Sequence, residues 1–214
     1  MNRTPSTELV GSRTRILPPD QILAFFAFAV VAAVTPGPSN VLVMAAGAQV
    51  GLWRGLHCLA GVVVGMALLM GVAVLGLGSL VEAYPWWTAA LKWCGSAFLL
   101  WMAWRIATAP PMRTGSDPDP VGFWRALAFQ WINPKSWIVS ASAAGTFAAG
   151  GSASAGERAL TLAAIFALAA APSCGLWLAF GAAVRRWLAN ERASRAFNVT
   201  MGVLLALSVV LIMR

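Results

Sequence analysis

The chain alternates long apolar runs with short polar interruptions, and the runs exceed what a strand or an ordinary core helix needs. A window of about 19 residues predicts six apolar helices, at roughly 21–49, 55–81, 86–108, 123–148, 159–184 and 196–213. Each is long enough to cross a bilayer, for which about 20 residues suffice. The clearest linker, 109–121, holds Pro110, Pro111, Gly115, Asp117, Pro118, Asp119 and Pro120, and separates three helices from three. Residues 1–19 are polar and read as a disordered tail. The region 22–34 has the length of a signal-peptide core, but the apolar run resumes over 41–48, which favours a spanning helix. The expected organisation is a tail at 1–19 and one transmembrane domain over 20–214, with repeat one at about 20–108 and repeat two at about 122–213.

Two of the apolar runs are broken by proline, at Thr35-Pro36-Gly37-Pro38 and at Asn133-Pro134-Lys135. Proline lacks an N–H and clashes with the preceding turn, so each break leaves backbone groups unpaired at membrane depth. Such breaks survive where protein buries them or where they line a polar cavity, and matching breaks in two halves point to a solute site near the midplane. The halves share an order of features: a broken helix, a long helix, then a helix with a polar residue shortly before glycine, Lys92 before Gly95 and Asn198 before Gly202. Three crossings per unit make consecutive units enter from opposite sides, so the expected fold is an all-α membrane protein of six transmembrane helices, two inverted three-helix repeats with proline-broken helices 1 and 4.

Composition agrees with this pattern. The chain is 59% hydrophobic and 10% charged, with a formal charge of +8. Mean hydropathy is +0.75. Arginines lie mainly between apolar runs, so orientation in the bilayer explains the charge better than nucleic acid does. The loops after segments 1, 3 and 5 carry Arg54, Arg105, Arg113, Arg125, Arg185, Arg186, Arg192 and Arg195, which would face the cytoplasm and leave both termini outside. Trp86, Trp87, Trp101, Trp104, Trp124 and Trp187 lie near segment ends, as an aromatic belt requires. His57 is the single histidine, so no His-based metal cage is available. Cys58, Cys94 and Cys174 form no CxxC pair and read as packing residues, none beside Pro36 or Pro134 in the chain.

The candidate site residues follow from the breaks. Thr35, Ser39 and Asn40 are N-cap types, and a half-helix starting near Pro38 would turn its N–H groups and positive dipole end toward a substrate carboxylate. Lys135 lies deep in its segment, where a cation costs about 2.5–3.5 kcal/mol, so it should face a cavity, a carboxylate or backbone carbonyls. Gln130 and Asn133 lie one turn away and can supply amide donors and acceptors. Gly51, Gly55, Gly61, Gly65 and Gly76 fall within about 120 degrees of one helix face, the mark of close helix packing. No acid lies well inside a segment; Glu82 ends segment 2, and Asp20, Glu157 and Glu191 are at interfaces.

Thr35-Pro36-Gly37-Pro38, the spacing of Gly51, Gly55, Gly61 and Gly65, and Asn133-Pro134-Lys135 together resemble the LysE/RhtB family of amino-acid exporters, over about residues 20–213. The resemblance implies a multi-pass bacterial inner-membrane carrier that exports amino acids or close derivatives, driven by the proton gradient, with no enzymatic activity and no cofactor. It marks Pro36, Gly37, Pro38, Asn133, Pro134 and Lys135 as the core of the transport site. Ser39 stands where many members carry an acid or amide, Phe98 where tyrosine is common, and Ala103 and Ala126 where glycine is usual, which turns the expected substrate from a cationic to a small neutral amino acid. The alternatives are export of a metal ion or other small solute, and a transmembrane thiol-disulfide electron carrier, which would need a cysteine near each break.

Overall fold

The computed structural model describes residues 17–77, 85–109, 121–148, 153–185, 187 and 190–213. These contain seven α-helices and no strand: α1 (Pro19–Val34), α2 (Pro38–Val72), α3 (Pro85–Ala107), α4 (Phe123–Ile132), α5 (Pro134–Phe147), α6 (Ala155–Val184) and α7 (Glu191–Met213), with a π-helical turn, Ala73–Leu77, continuing α2. Most of the tail, the linker from 110 to 120, Glu82 and Arg186 lie outside the described residues. Two helices are long and apolar enough to cross a membrane, Pro38–Gly76 and Ala155–Val184. α1 is a shorter apolar helix.

Both proline breaks are real interruptions, separating α1 from α2 and α4 from α5. The expected loop between segments 1 and 2 is not. The chain runs through it as one helix, α2, kinked where Gly51 takes φ 80°. Only glycine enters that region without steric cost, so the kink needs no intervening polar loop. Gly76 likewise takes φ 143° in the π turn. The single packing face expected for five glycines is therefore corrected: Gly51 and Gly76 bend the chain, while Gly55, Gly61 and Gly65 pack.

The helix starts follow local chemistry. Pro19 occupies the first turn of α1, where its missing N–H costs nothing, and Asp20 complements the dipole. Ser154 and Glu157 form a reciprocal capping box on α6. Asn190 Oδ1 accepts from Arg192 N at 2.9 Å at the start of α7.

α2 lies at the centre, packed along α6 and crossed by α4, while α1 rests on α6 and α3 pairs with α7. Lipid is as apolar as leucine, so these contacts depend on close fit rather than on exclusion of water. Glycines provide the fit. A Cβ at Gly47 would meet the Leu178 carbonyl, one at Gly181 the Met44 carbonyl, and one at Gly61 the Phe123 carbonyl. The expected equivalence of Gly95 and Gly202 does not extend to their contacts: Gly95 abuts Pro134, whereas Gly202 abuts Ala103 and Ala107. Phe25, Phe28 and Phe147 cluster at centroid separations of 5.1 to 6.1 Å, tying α1 to the far end of α5. Trp86, Trp101, Trp104, Trp124 and Trp187 are all exposed.

Candidate solute site

The two breaks, about a hundred residues apart in sequence, meet in space. Thr35, Pro36 and Gly37 leave the helix, and Gly37 is extended at φ −176° and ψ 176°. Continuing the helix would have paired the carbonyls of 33 to 36 with the N–H groups of 37 to 40, yet Pro38 has none and the extended Gly37 takes the others out of register. Those carbonyls find side chains instead. Asn40 Nδ2 donates to Ala33 O and to Thr35 O, each at 2.8 Å. Trp177 Nε1 donates to Val34 O at 3.2 Å. Lys135 Nζ donates to Thr35 O at 2.6 Å and to Pro36 O at 3.4 Å.

The expectation that Thr35, Ser39 or Asn40 caps α2 is corrected. Its N-cap is Gly37, which offers no side chain. Thr35 Oγ1 instead donates back to Val31 O at 2.6 Å, Asn40 serves the α1 carbonyls, and Ser39 turns to the other break. Pro38 opens α2 as Pro134 opens α5, each in the first turn, where proline is tolerated.

The second break is a single extended residue, Asn133, with ψ 111°, as expected before proline. Its Oδ1 accepts from Lys135 N at 3.1 Å, capping α5. Its Nδ2 donates to Ser39 Oγ at 2.9 Å, and Ser39 Oγ donates on to Gln130 Oε1 at 2.8 Å. Ser136 Oγ donates to the same Gln130 oxygen at 2.9 Å, filling both its lone pairs, and Gln130 Nε2 donates to Ala126 O at 3.1 Å. Gln130, Asn133 and Ser136 are buried, so this satisfied network fixes the two breaks against each other.

Between the breaks lies a cavity of about 30 Å³, lined by Gly37, Ser39, Asn40, Asn133, Lys135, Ser136 and Cys174, and on its apolar side by Ala32, Ala33, Val62, Met66, Val139, Phe166 and Ala170. The free space is small and lies directly around the Lys135 side chain. Among the described residues, Lys135 is the one charged side chain in the lining. Its stem runs over Gly37, where a Cβ would lie 2.7 Å from Lys135 Cδ. A larger cavity of about 370 Å³ lies behind Pro134, between α3 and the α4–α5 bend, lined by Ala90, Cys94, Gly95, Phe98, Trp131, Ile132, Pro134 and Trp137.

Of the ten residues expected at the site, Gly37, Ser39, Asn40, Asn133 and Lys135 line the cavity. Thr35, Pro36 and Gln130 bond to residues that line it, and Pro38 and Pro134 set the half-helices. Sequence reasoning missed Ser136, Trp177 and above all Cys174. The expectation that no cysteine stands beside a break holds along the chain and fails in space: Cys174 Sγ donates to Asn40 Oδ1 at 3.4 Å. The available signal was Pro172, which disturbs α6 two residues earlier.

The family model described as LysE type translocator matches residues 30–214. A protein of Klebsiella pneumoniae named cysteine/O-acetylserine efflux protein is 38% identical over 129 residues, and proteins of the same name from Salmonella typhimurium and Escherichia coli are 34% and 32% identical. The aligned stretch covers 60% of this chain and 66% of each relative's length. No solved structure matches. With broken helices meeting at a polar cavity and a family match from the first half-helix onward, the chain belongs to the LysE type translocator family.

Proposed function

We propose that this protein exports small neutral amino acids, of the cysteine and O-acetylserine class named for its relatives, across the bacterial inner membrane by alternating access at the cavity between the breaks. The observation that carries the reading is the meeting of both breaks around Lys135, in a cavity with no acid among its described lining residues. A carboxylate-bearing zwitterion suits that charge, whereas a cationic amino acid would be repelled. Pro36, Gly37, Pro38, Asn133 and Pro134 shape the site, and Ser39, Asn40 and Gln130 orient its polar groups.

In this reading the chain crosses the membrane six times, through residues 19–50, 52–77, α3, α4 with α5, α6 and α7, and both termini lie outside the cytoplasm. The inverted repeat pairs the second part of α2 with α6. Its support is that α2 crosses α4 as α6 crosses α1, each long helix covering the first half of the other unit's broken helix. The narrow cavity widens when the half-helices part, and the space behind Pro134 gives α5 room to move. The proton gradient supplies the drive.

Excretion tests this directly. Bacteria expressing the chain should accumulate extracellular cysteine or O-acetylserine and tolerate loads of these solutes that arrest control cells. An unchanged extracellular metabolite profile, with the protein verified in the membrane, would sink the reading.

A further inference from the structure

The Lys135 ammonium is bound as an amine substrate would be. Its Nζ lies 2.6 Å from Thr35 O and 3.4 Å from Pro36 O, carbonyls that the break has taken out of the α1 hydrogen-bond ladder. They sit just past the C-terminal end of α1, where the helix dipole places partial negative charge. Uncharged donors serve the neighbouring freed carbonyls, Asn40 for Ala33 and Trp177 for Val34, and Asn40 shares Thr35 O with Lys135. Pro36 O has Lys135 as its side-chain donor among the described residues. Among the described residues, the cavity lining holds no carboxylate that could pair with Lys135 in their place.

We infer that the Thr35 and Pro36 carbonyls form the ammonium subsite of the transporter and that Lys135 occupies it until a substrate ammonium takes its place. The inference rests on the amino-acid export reading and specifies how its site discriminates. A zwitterion resolves the arrangement by exchange: its carboxylate takes Lys135, and its ammonium takes the carbonyls Lys135 leaves. Neither charge is then stranded at membrane depth, where an unpaired one is costly. A carboxylate alone would strip Lys135 from the carbonyls, leaving Thr35 O with Asn40 and Pro36 O without its side-chain donor. An amine alone would compete with Lys135 and leave it unpaired. Recognition of the two charged groups is thereby coupled, although the cavity contains a single charged side chain. The close passage of the Lys135 stem over Gly37 fits the same picture, because it brings Nζ within 3.0 Å of where a side chain at 37 would begin.

The test uses the purified full-length chain in lipid nanodiscs. Lys135→Ala vacates the subsite, so ethylammonium should bind the variant saturably, read as a rise in Tm, and should leave wild type unaffected. Tetramethylammonium, which has no N–H to donate, should bind neither. A folded Lys135→Ala protein that ethylammonium does not stabilise, or that it stabilises no more than wild type, overturns the inference. If the variant fails to fold, binding to wild type decides. Alanine, N-acetylalanine and alanine methyl ester are compared, and each blocked compound should bind at least about tenfold more weakly than the parent, the cost of losing hydrogen bonds to a charged group. Equal binding of either blocked form overturns the inference. The two readings fail separately. Amino-acid excretion without ethylammonium binding to the variant removes the subsite and leaves export standing. Ethylammonium binding to the variant without excretion by wild-type cells removes export and leaves the subsite.

Discussion

The two proline breaks look alike in sequence and differ in how they settle their backbone. At the second, one extended residue separates the half-helices, and its own side chain caps the next helix: Asn133 Oδ1 receives Lys135 N at 3.1 Å. At the first, three residues leave the helix, the cap is a glycine without a side chain, and the freed carbonyls depend on one nearby side chain and on two from distant segments. Those partners are Asn40, Trp177 and Lys135, the last from the second break itself. One break is locally complete and the other is completed by tertiary structure. A site that must exchange partners with a solute is better placed at the second kind, whose hydrogen bonds can be replaced without unwinding a helix.

The largest expected effect on this comparison comes from Gln130, because its side chain joins the breaks. Gln130→Leu would take the acceptor from the buried Ser136 hydroxyl and from the half-buried Ser39 hydroxyl, at about 1–3 kcal/mol each. Thermal unfolding in detergent should show a loss of about 2–5 kcal/mol, and a near-neutral result would mean that the network does not hold the breaks together.

A smaller effect is expected where the second break is self-sufficient. Asn133→Ala removes the α5 cap and should cost about 1 kcal/mol, while Asn133→Ser, an uncharged residue that keeps a capping oxygen, should recover most of that. If the two variants are equally destabilised, the Nδ2 bond to Ser39 matters more than the cap, and the second break is no more independent than the first.

The smallest change in stability and the most specific change in function belong to Gly37. Its extended backbone suits any residue, so Gly37→Ala should fold to within about 1 kcal/mol of wild type. The added Cβ would press on the end of the Lys135 side chain, which is flexible enough to move away. Export should fall several-fold with unchanged Tm, on the order of the loss of one charge-assisted hydrogen bond. Unimpaired export would show that the position of Nζ over Thr35 and Pro36 is immaterial.

Much of this could be read from the chain alone, for reasons specific to individual residues. Pro36, Pro38 and Pro134 interrupt helices whatever surrounds them, because the missing N–H and the ring clash are local. The depth of Lys135 in an apolar run required that it find carbonyls, a carboxylate or a cavity, and it has carbonyls beside a cavity. The element boundaries were less legible where glycine carried them. Gly51 was expected to pack and instead bends α2, since φ in the left-handed region leaves no trace in composition. Trp177 and Cys174 escaped notice because each reaches the first break from α6, at sequence separations of 143 and 134.

By itself, the sequence determined that this is an all-helical, apolar chain with two polar interruptions and one deep cation, since helix propensity, proline sterics and the cost of desolvation all act within a few residues of their cause. Only the tertiary structure decided which carbonyl receives which donor. The Lys135 ammonium meets Thr35 and Pro36, a hundred positions away, because glycines at 47, 61 and 181 let the helices close to backbone contact. A hydrogen bond acts over about 3 Å, and that proximity is a property of the packed helices that no local pattern encodes.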